Sequence, residues 1–177
     1  MYFFKCMCKL KTLLVAAIAA ASFASANAQT SVNAKATLPG KMEEAVKGDD
    51  AAKAVMQNMM TRTSVRKFKQ QPVEEAKIEA LLRAGMASPT SGDMQPWHFV
   101  VLKDKKDIEQ YAASNKYHAE DIKKTPLFIF VCADTTRMAE GQGKELWVQD
   151  LSAVSENILL AAHAMGLGAC WTTIYPI

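Results

Sequence analysis

The stretch Arg62-Thr63-Ser64-Val65-Arg66 puts two guanidinium groups and a hydroxyl at alternate positions. In extended backbone, alternate side chains leave the chain on the same side. Arg62, Ser64 and Arg66 would then face one way, and Thr63 and Val65 the other. Forked arginine donors joined by a hydroxyl suit a phosphate group. The same spacing also suits a solvated, charged edge strand, and residue types alone leave both readings open. A second stretch, SPTSGDMQPWHFVVL from Ser88 to Leu102, offers a different chemistry. Pro89 fixes the entry angle, while Thr90, Ser91 and Gly92 keep amides and hydroxyls accessible. Asp93 and Gln95 add hydrogen-bonding groups, and Pro96 stops helix continuation. Such edges suit a flat polar heterocycle, although an ordinary connecting loop with Trp97 in the core explains the same residues.

These segments need elements to hold them. The chain of 177 residues is enough for one medium domain with a real core. Asp49 or Asp50 can cap a first helix over AAKAVMQNMM, with Val55, Met56 and Met59 on one face. Gln71-Pro72 is expected to open a second helix, with Glu74 and Glu75 at its positive end. Ile78, Leu81, Leu82 and Gly85 or Met86 trace its buried stripe. HFVVL reads as a strand. DKKDIEQYAAS reads as a third helix with Ile108, Tyr111 and Ala112 inward. LFIFVCA lacks alternation and suits a strand buried on both faces. From Glu145 to Met165 apolar residues recur at helical spacing, and Gly166 is placed to end that helix. ACWTTIY then reads as another strand. Helices interleave with strands, so the class is α+β or α/β with helices covering a central sheet.

The N-terminus reads as a separate unit. Lys5, Lys9 and Lys11 precede the apolar run LLVAAIAAASFA, and Ala26-Asn27-Ala28 gives a small-residue cut site. That is the pattern of a secretory signal peptide over residues 1–28, cut after Ala28. An exported, periplasmic or secreted protein without a stable membrane anchor is expected. Residues 29–49 read as a polar, flexible linker, and residues 50–177 as the folded domain. Removing residues 1–28 lowers the basic count from 21 to 18, equal to the 18 acids. A near-neutral domain argues against nucleic acid as a partner, which needs a basic face. Cys132 and Cys170 lie in apolar runs, where unpaired cysteine behaves as a small hydrophobe. His98, His118 and His163 are scattered, and no metal-ligand spacing appears.

Taken together, RTSVRKF, SPTSGDMQPWHFVV and the long helix leading into MGLGACWTTIYP resemble the nitroreductase family of FMN-dependent oxidoreductases. The resemblance runs from Val55 to Pro176. It implies the family's own α+β fold, a three-layer sandwich with a mostly antiparallel central sheet flanked by helices. The absence of Gly-x-Gly-x-x-Gly accords with that, since it gives no support to a Rossmann fold. The resemblance assigns Arg62, Thr63, Ser64 and Arg66 to the FMN phosphate and flavin edge. It assigns Pro89, Thr90, Ser91, Asp93 and Gln95 to the flavin or its ribityl chain. Trp171, Thr172 and Thr173 would pass near the isoalloxazine. It further implies a homodimer with flavin sites at the interface. NAD(P)H would reduce the flavin, and nitroaromatics, quinones or related small acceptors would reoxidise it in ping-pong fashion. No side chain is assigned as a general acid or base, because the flavin carries the redox chemistry.

Two departures from the family pattern bear on these expectations. Many members have Asn where Asp93 stands, and an ionised Asp adds negative charge that disfavours an anionic reduced flavin. The family's domain also continues past Tyr175-Pro176. The resemblance therefore implies a missing C-terminal portion carrying a strand, a dimer-embracing extension and another basic phosphate contact, and hence weak FMN binding. A member with a different redox substrate, and a non-catalytic remnant that folds or dimerises without flavin, remain as alternatives. Acceptor choice would lie near Asn115 to Asp121, and export leaves the physiological electron donor open.

Overall fold

The computed structural model describes residues 15–22, 38–115, 118–138 and 140–173. Four strands form one sheet: β1 (Val15–Ser22), β2 (Trp97–Leu102), β3 (Phe128–Ala133) and β4 (Leu167–Thr173), in the spatial order β2-β3-β1-β4. Every pairing between these strands is antiparallel. The helices are α1 (Gly40–Ala45), α2 (Asp50–Thr61), α3 (Glu75–Met86), α4 (Lys105–Ser114), α5 (Ala119–Lys123) and α6 (Trp147–Ala164). Short 3-10 turns fall at Ser91–Asp93, Thr135–Arg137 and Gly141–Gly143.

The sheet is the middle of three layers, and β3 shows why. Successive strand residues point to opposite faces. Ile129, Val131 and Ala133 join Trp97, Phe99 and Val101 of β2 in a core under α3 and α6. Phe128 and Phe130 go the other way, with Val100 and Leu102, into a second core under α4 and α5. There Tyr111, Phe128 and Phe130 form a ring cluster with centroids 4.7–5.0 Å apart, a spacing suited to tilted and edge-on aromatic contacts. A run without polar alternation is thus what a strand covered on both sides requires. The fold is α+β, as the resemblance implies.

Helix α6 supplies Trp147, Leu151, Val154, Ile158, Leu159 and Ala162 to the first core. Gly166, at φ 73°, takes the left-handed turn that ends it. Helix α3 packs on α6, and Gly85 lies in that seam. A Cβ there would meet Ile158 Cδ1 at 3.0 Å and Phe99 Cζ at 3.2 Å.

Three expectations are modified. Pro72 does not open α3: the chain stays extended to bury Val73, and the helix starts at Glu75 with Glu74 as its cap residue. The linker expected over residues 29–49 is in part packed, since Leu38 and Val46 are buried on either side of α1. Helix α2 is capped by Asp49, whose carboxylate accepts from Ala52 N–H at 2.9 Å. However, Val55 and Met59 are 50% and 51% exposed, so its apolar face is uncovered.

The N-terminal apolar run holds a position that its reading as a leader did not anticipate. Val15–Ser22 lies between β3 and β4 and is paired with both. Ala17 sits opposite Phe130 on one side and Thr172 on the other. Residues 1–14 and 23–37, with the expected cut after Ala28, lie outside the described residues. No helix among the described residues is long and apolar enough to cross a membrane.

Candidate functional site

Helix α2 delivers the arginine segment. Its last turn lies against α6 through three contacts. Asn58 Nδ2 donates to Leu160 O at 3.0 Å, Thr61 meets His163, and Arg62 Nε pairs with Glu156 Oε1 at 3.3 Å. Residues 156, 160 and 163 share one stripe of α6, since positions four and seven apart return to the same side. The Thr61 hydroxyl donates to Gln57 O at 2.7 Å. With its one proton committed there, the 2.8 Å contact is donated by His163 Nε2–H to Thr61 Oγ1. Burial, and then the nearby Arg62 charge, hold the His163 imidazole below the usual histidine range.

Past Arg62 the chain is extended, as the alternating pattern requires. Ser64 pairs in parallel with Ala169, and Val65 N–H donates to Ala169 O at 2.9 Å. The segment thus runs beside β4, the strand that carries Trp171 and Thr172. Arg62 is partly exposed, Val65 is half-buried, and Thr63, Ser64 and Arg66 are exposed. The side chain of Thr173 lies outside the described residues.

The second segment is a self-tied loop between α3 and β2. Gln95 N–H donates to Thr90 Oγ1 at 3.2 Å, and Gln95 Nε2 donates to Asp93 Oδ1 at 2.8 Å. Gly92, Asp93 and Gln95 all have left-handed backbone, at φ 55°, 55° and 48°. Glycine takes that region freely, but the two larger residues are strained in it. Strain of this kind persists only where surrounding contacts hold it, and two do. Ser91 N–H donates to the buried carboxylate of Asp150 in the first turn of α6 at 2.9 Å. Asp134 N–H donates to Pro96 O at 2.6 Å, fixing the loop's exit to the end of β3. Pro89 is exposed and Thr90 half-buried at the loop's start.

Both segments therefore lie against α6, the loop tied through Asp150 and the arginine segment beside Glu156. Six residues separate these two, about 9 Å along the helix and about 120° around it. Within one chain the arginine segment and the loop lie against different faces of α6. No hydrogen bond or ion pair among the described residues joins them. Sequence reading missed Asp150, Glu156 and Ser88. The one available signal was an acid, Asp150, inside the apolar stripe of α6.

The residues present suit a ligand with a phosphate and a polar ring. The guanidinium and hydroxyl donors serve the first. For the second, Ser88 Oγ and Trp171 Nε1 are buried without a hydrogen-bond partner among the described residues, and a buried polar atom left so is costly. His98 is exposed and His163 is engaged with α2. Cys132 and Cys170 are free and buried. Burial pushes the Cys132 thiol up to about 12, which keeps it protonated and inert. The described residues contain no cluster of metal-ligating side chains.

Comparison with known proteins agrees. The sequence profile of the Nitroreductase family matches residues 59–116 and 107–177. A protein of Methanothermobacter thermautotrophicus, provisionally named NADH dehydrogenase/NAD(P)H nitroreductase, is 41% identical over 123 residues, covering 70% of this chain and 62% of its own. A relative of the same name from Archaeoglobus fulgidus is 35% identical, covering 66% of this chain and 65% of its own. The chain thus spans under two thirds of the length of these curated relatives. Among solved structures, one with that provisional name from Parabacteroides distasonis is 43% identical with a TM-score of 0.63, covering 70% of each chain. A provisionally named nitroreductase from Desulfovibrio desulfuricans, solved in complex with FMN, is 26% identical with a TM-score of 0.56, covering 63% of each chain. With the family profile covering everything from Met59 onward, and relatives more than 40% identical over 70% of the chain, this chain belongs to the nitroreductase family.

Proposed function

We propose that the protein is an FMN-dependent oxidoreductase that draws on NAD(P)H or another donor and reduces nitroaromatic, quinone or related small acceptors. The observation that carries this reading is the seat of the arginine segment against β4, through Val65 N–H and Ala169 O. It runs side chains suited to a phosphate beside the strand bearing Trp171, whose indole N–H has no partner among the described residues. Bound FMN would supply the redox chemistry, taking a hydride from NAD(P)H and passing electrons to the acceptor in alternate visits to one site. Arg62, Ser64 and Arg66 would hold the phosphate, with Thr63 at the flavin edge. The strained loop of Pro89, Thr90, Ser91, Asp93 and Gln95 would offer its polar edges to the ring and ribityl chain. Trp171 and Thr172 would border the ring.

A homodimer completes this reading. Helix α2 buries none of its residues, and Val55, Met59 and Met60 are 50–52% exposed. An amphipathic helix with an open apolar face calls for cover, and a second copy would supply it. It would also let the arginine segment of one copy meet the loop of the other, which the two faces of α6 keep apart within a chain. Export, with a cut after Ala28, is supported by the charge and apolar pattern of the N-terminus.

The test is a titration of the purified full chain with FMN, followed by flavin fluorescence and visible absorbance. Binding is expected, with bleaching of the visible band when NADH is added. Arg62→Ala combined with Arg66→Ala should lose FMN while keeping its helical circular dichroism. Full FMN occupancy in that double variant would refute the phosphate assignment. Sedimentation of the wild type should give a dimer, and a strict monomer at micromolar concentration would remove the two-copy site. Mass spectrometry of secreted material should find Gln29 as the first residue if the leader is cut.

A further inference from the structure

We propose that Glu156 is a specificity-determining residue for the cofactor, a built-in counter-charge that limits how strongly the arginine grip favours a phosphorylated flavin over an unphosphorylated one. The inference rests on the FMN reading above and adds to it a residue on another element.

Arg62 Nε meets Glu156 Oε1 at 3.3 Å, with the two side chains 24% and 46% exposed. The contact uses the inner edge of the guanidinium, so the outer fork can still receive an anion. An ion pair this exposed adds little stability, so it does little to lock the arginine. Its charge acts regardless: any anion taken by Arg62 shares that guanidinium with a carboxylate already in contact. The neighbouring His163 adds no compensating positive charge when neutral, as its burial favours. Of the two arginines in the segment, Arg62 is therefore paired with a carboxylate, while Arg66 has no ion pair among the described residues. A phosphate with close to two negative charges feels this difference strongly, whereas an uncharged ribityl hydroxyl does not.

Two opposed effects are at stake, and magnitude decides between them. Removing the carboxylate loosens one exposed contact to Arg62, a small loss. It also removes repulsion between Glu156 and the phosphate, a larger effect at short range even in a watery setting. The net result is tighter phosphate binding.

The experiment measures dissociation constants for FMN and for riboflavin by fluorescence quenching, on the full-length wild type, Glu156→Gln, Glu156→Asp and Arg62→Gln. In Glu156→Gln the preference for FMN over riboflavin should rise about three- to tenfold, through FMN alone and most clearly at low salt. Glu156→Asp keeps the charge and should stay near the wild-type ratio. Arg62→Gln should lower the ratio. A ratio in Glu156→Gln that is unchanged or reduced overturns the inference while the flavin reading stands. A ratio unchanged in Arg62→Gln overturns the phosphate assignment, and a wild type that binds neither flavin overturns the flavin reading with everything built on it.

Discussion

Asp150 is a buried acid whose carboxylate accepts Ser91 N–H and so holds a strained loop to α6. Asp150→Ala should destabilise the fold by about 1–3 kcal/mol, the usual range for a buried partner left unpaired. It should also raise hydrogen exchange at Ser91. Asp150→Asn keeps the accepting oxygen and should change little. Equal melting temperatures for Asp150→Ala and wild type would show that the tether is idle. His163 gives a pH prediction. Its folded value lies below the unfolded one, so the unfolded chain takes up the proton first as pH falls. Stability is whole above the unfolded value, near 6.5, and declines as pH drops toward the folded value. His163→Gln should flatten that decline in denaturant titrations between mildly acid and neutral pH. At this scale the sequence was half legible. Arg62, Ser64 and Arg66 announce themselves by alternation, whereas Asp150 shows only as an acid within an apolar stripe and Glu156 not at all, because their partners lie 59 and 94 residues away and no local spacing records such a meeting.

Among the elements, α6 and β3 were the most legible, since a long 3.6-residue period points to a helix and a short apolar run rich in aromatic and β-branched residues points to a strand. Boundaries were less so. Pro72 looks like a helix start, yet burial of Val73 holds the chain extended until Glu75. The apolar face of α2 was legible, yet its openness in one chain was not, because helical period reports an apolar face and not what covers it. Gly85 marks a close contact between elements. Alanine there gains about 1 kcal/mol of helix propensity. Against that, its Cβ would press on two atoms of Ile158 and on Phe99 at 3.0–3.2 Å, and overpacking a core costs about 1–3 kcal/mol. Gly85→Ala should therefore lower stability in chemical denaturation, and Gly85→Val should lower it further. A more stable Gly85→Ala would mean the α3–α6 seam is looser than its contacts indicate.

For the molecule as a whole, the sheet depends on its N-terminus. Without β1, the facing edges of β3 and β4 stand about 10 Å apart, two strand spacings, too far to pair with each other. A chain lacking residues 1–28 should unfold at lower temperature and scatter more light, as unpaired edges recruit other chains. Unchanged melting and a clean single species would show that the sheet closes without β1. Nothing in LLVAAIAAASFA betrays a strand, because an alanine-rich run has no alternation to read. Residues 15–22 can serve only one purpose at a time in any molecule. As β1 the segment is hydrogen-bonded along both sides, and a segment so paired is not free to act as a leader. Its partners are made late, β4 last of all, so the N-terminus leaves the ribosome long before it has a sheet to enter. If residues 1–28 are read as a leader, that reading must therefore come before β4 exists to pair with, and a chain that keeps the segment ends with its own N-terminus as an inner strand.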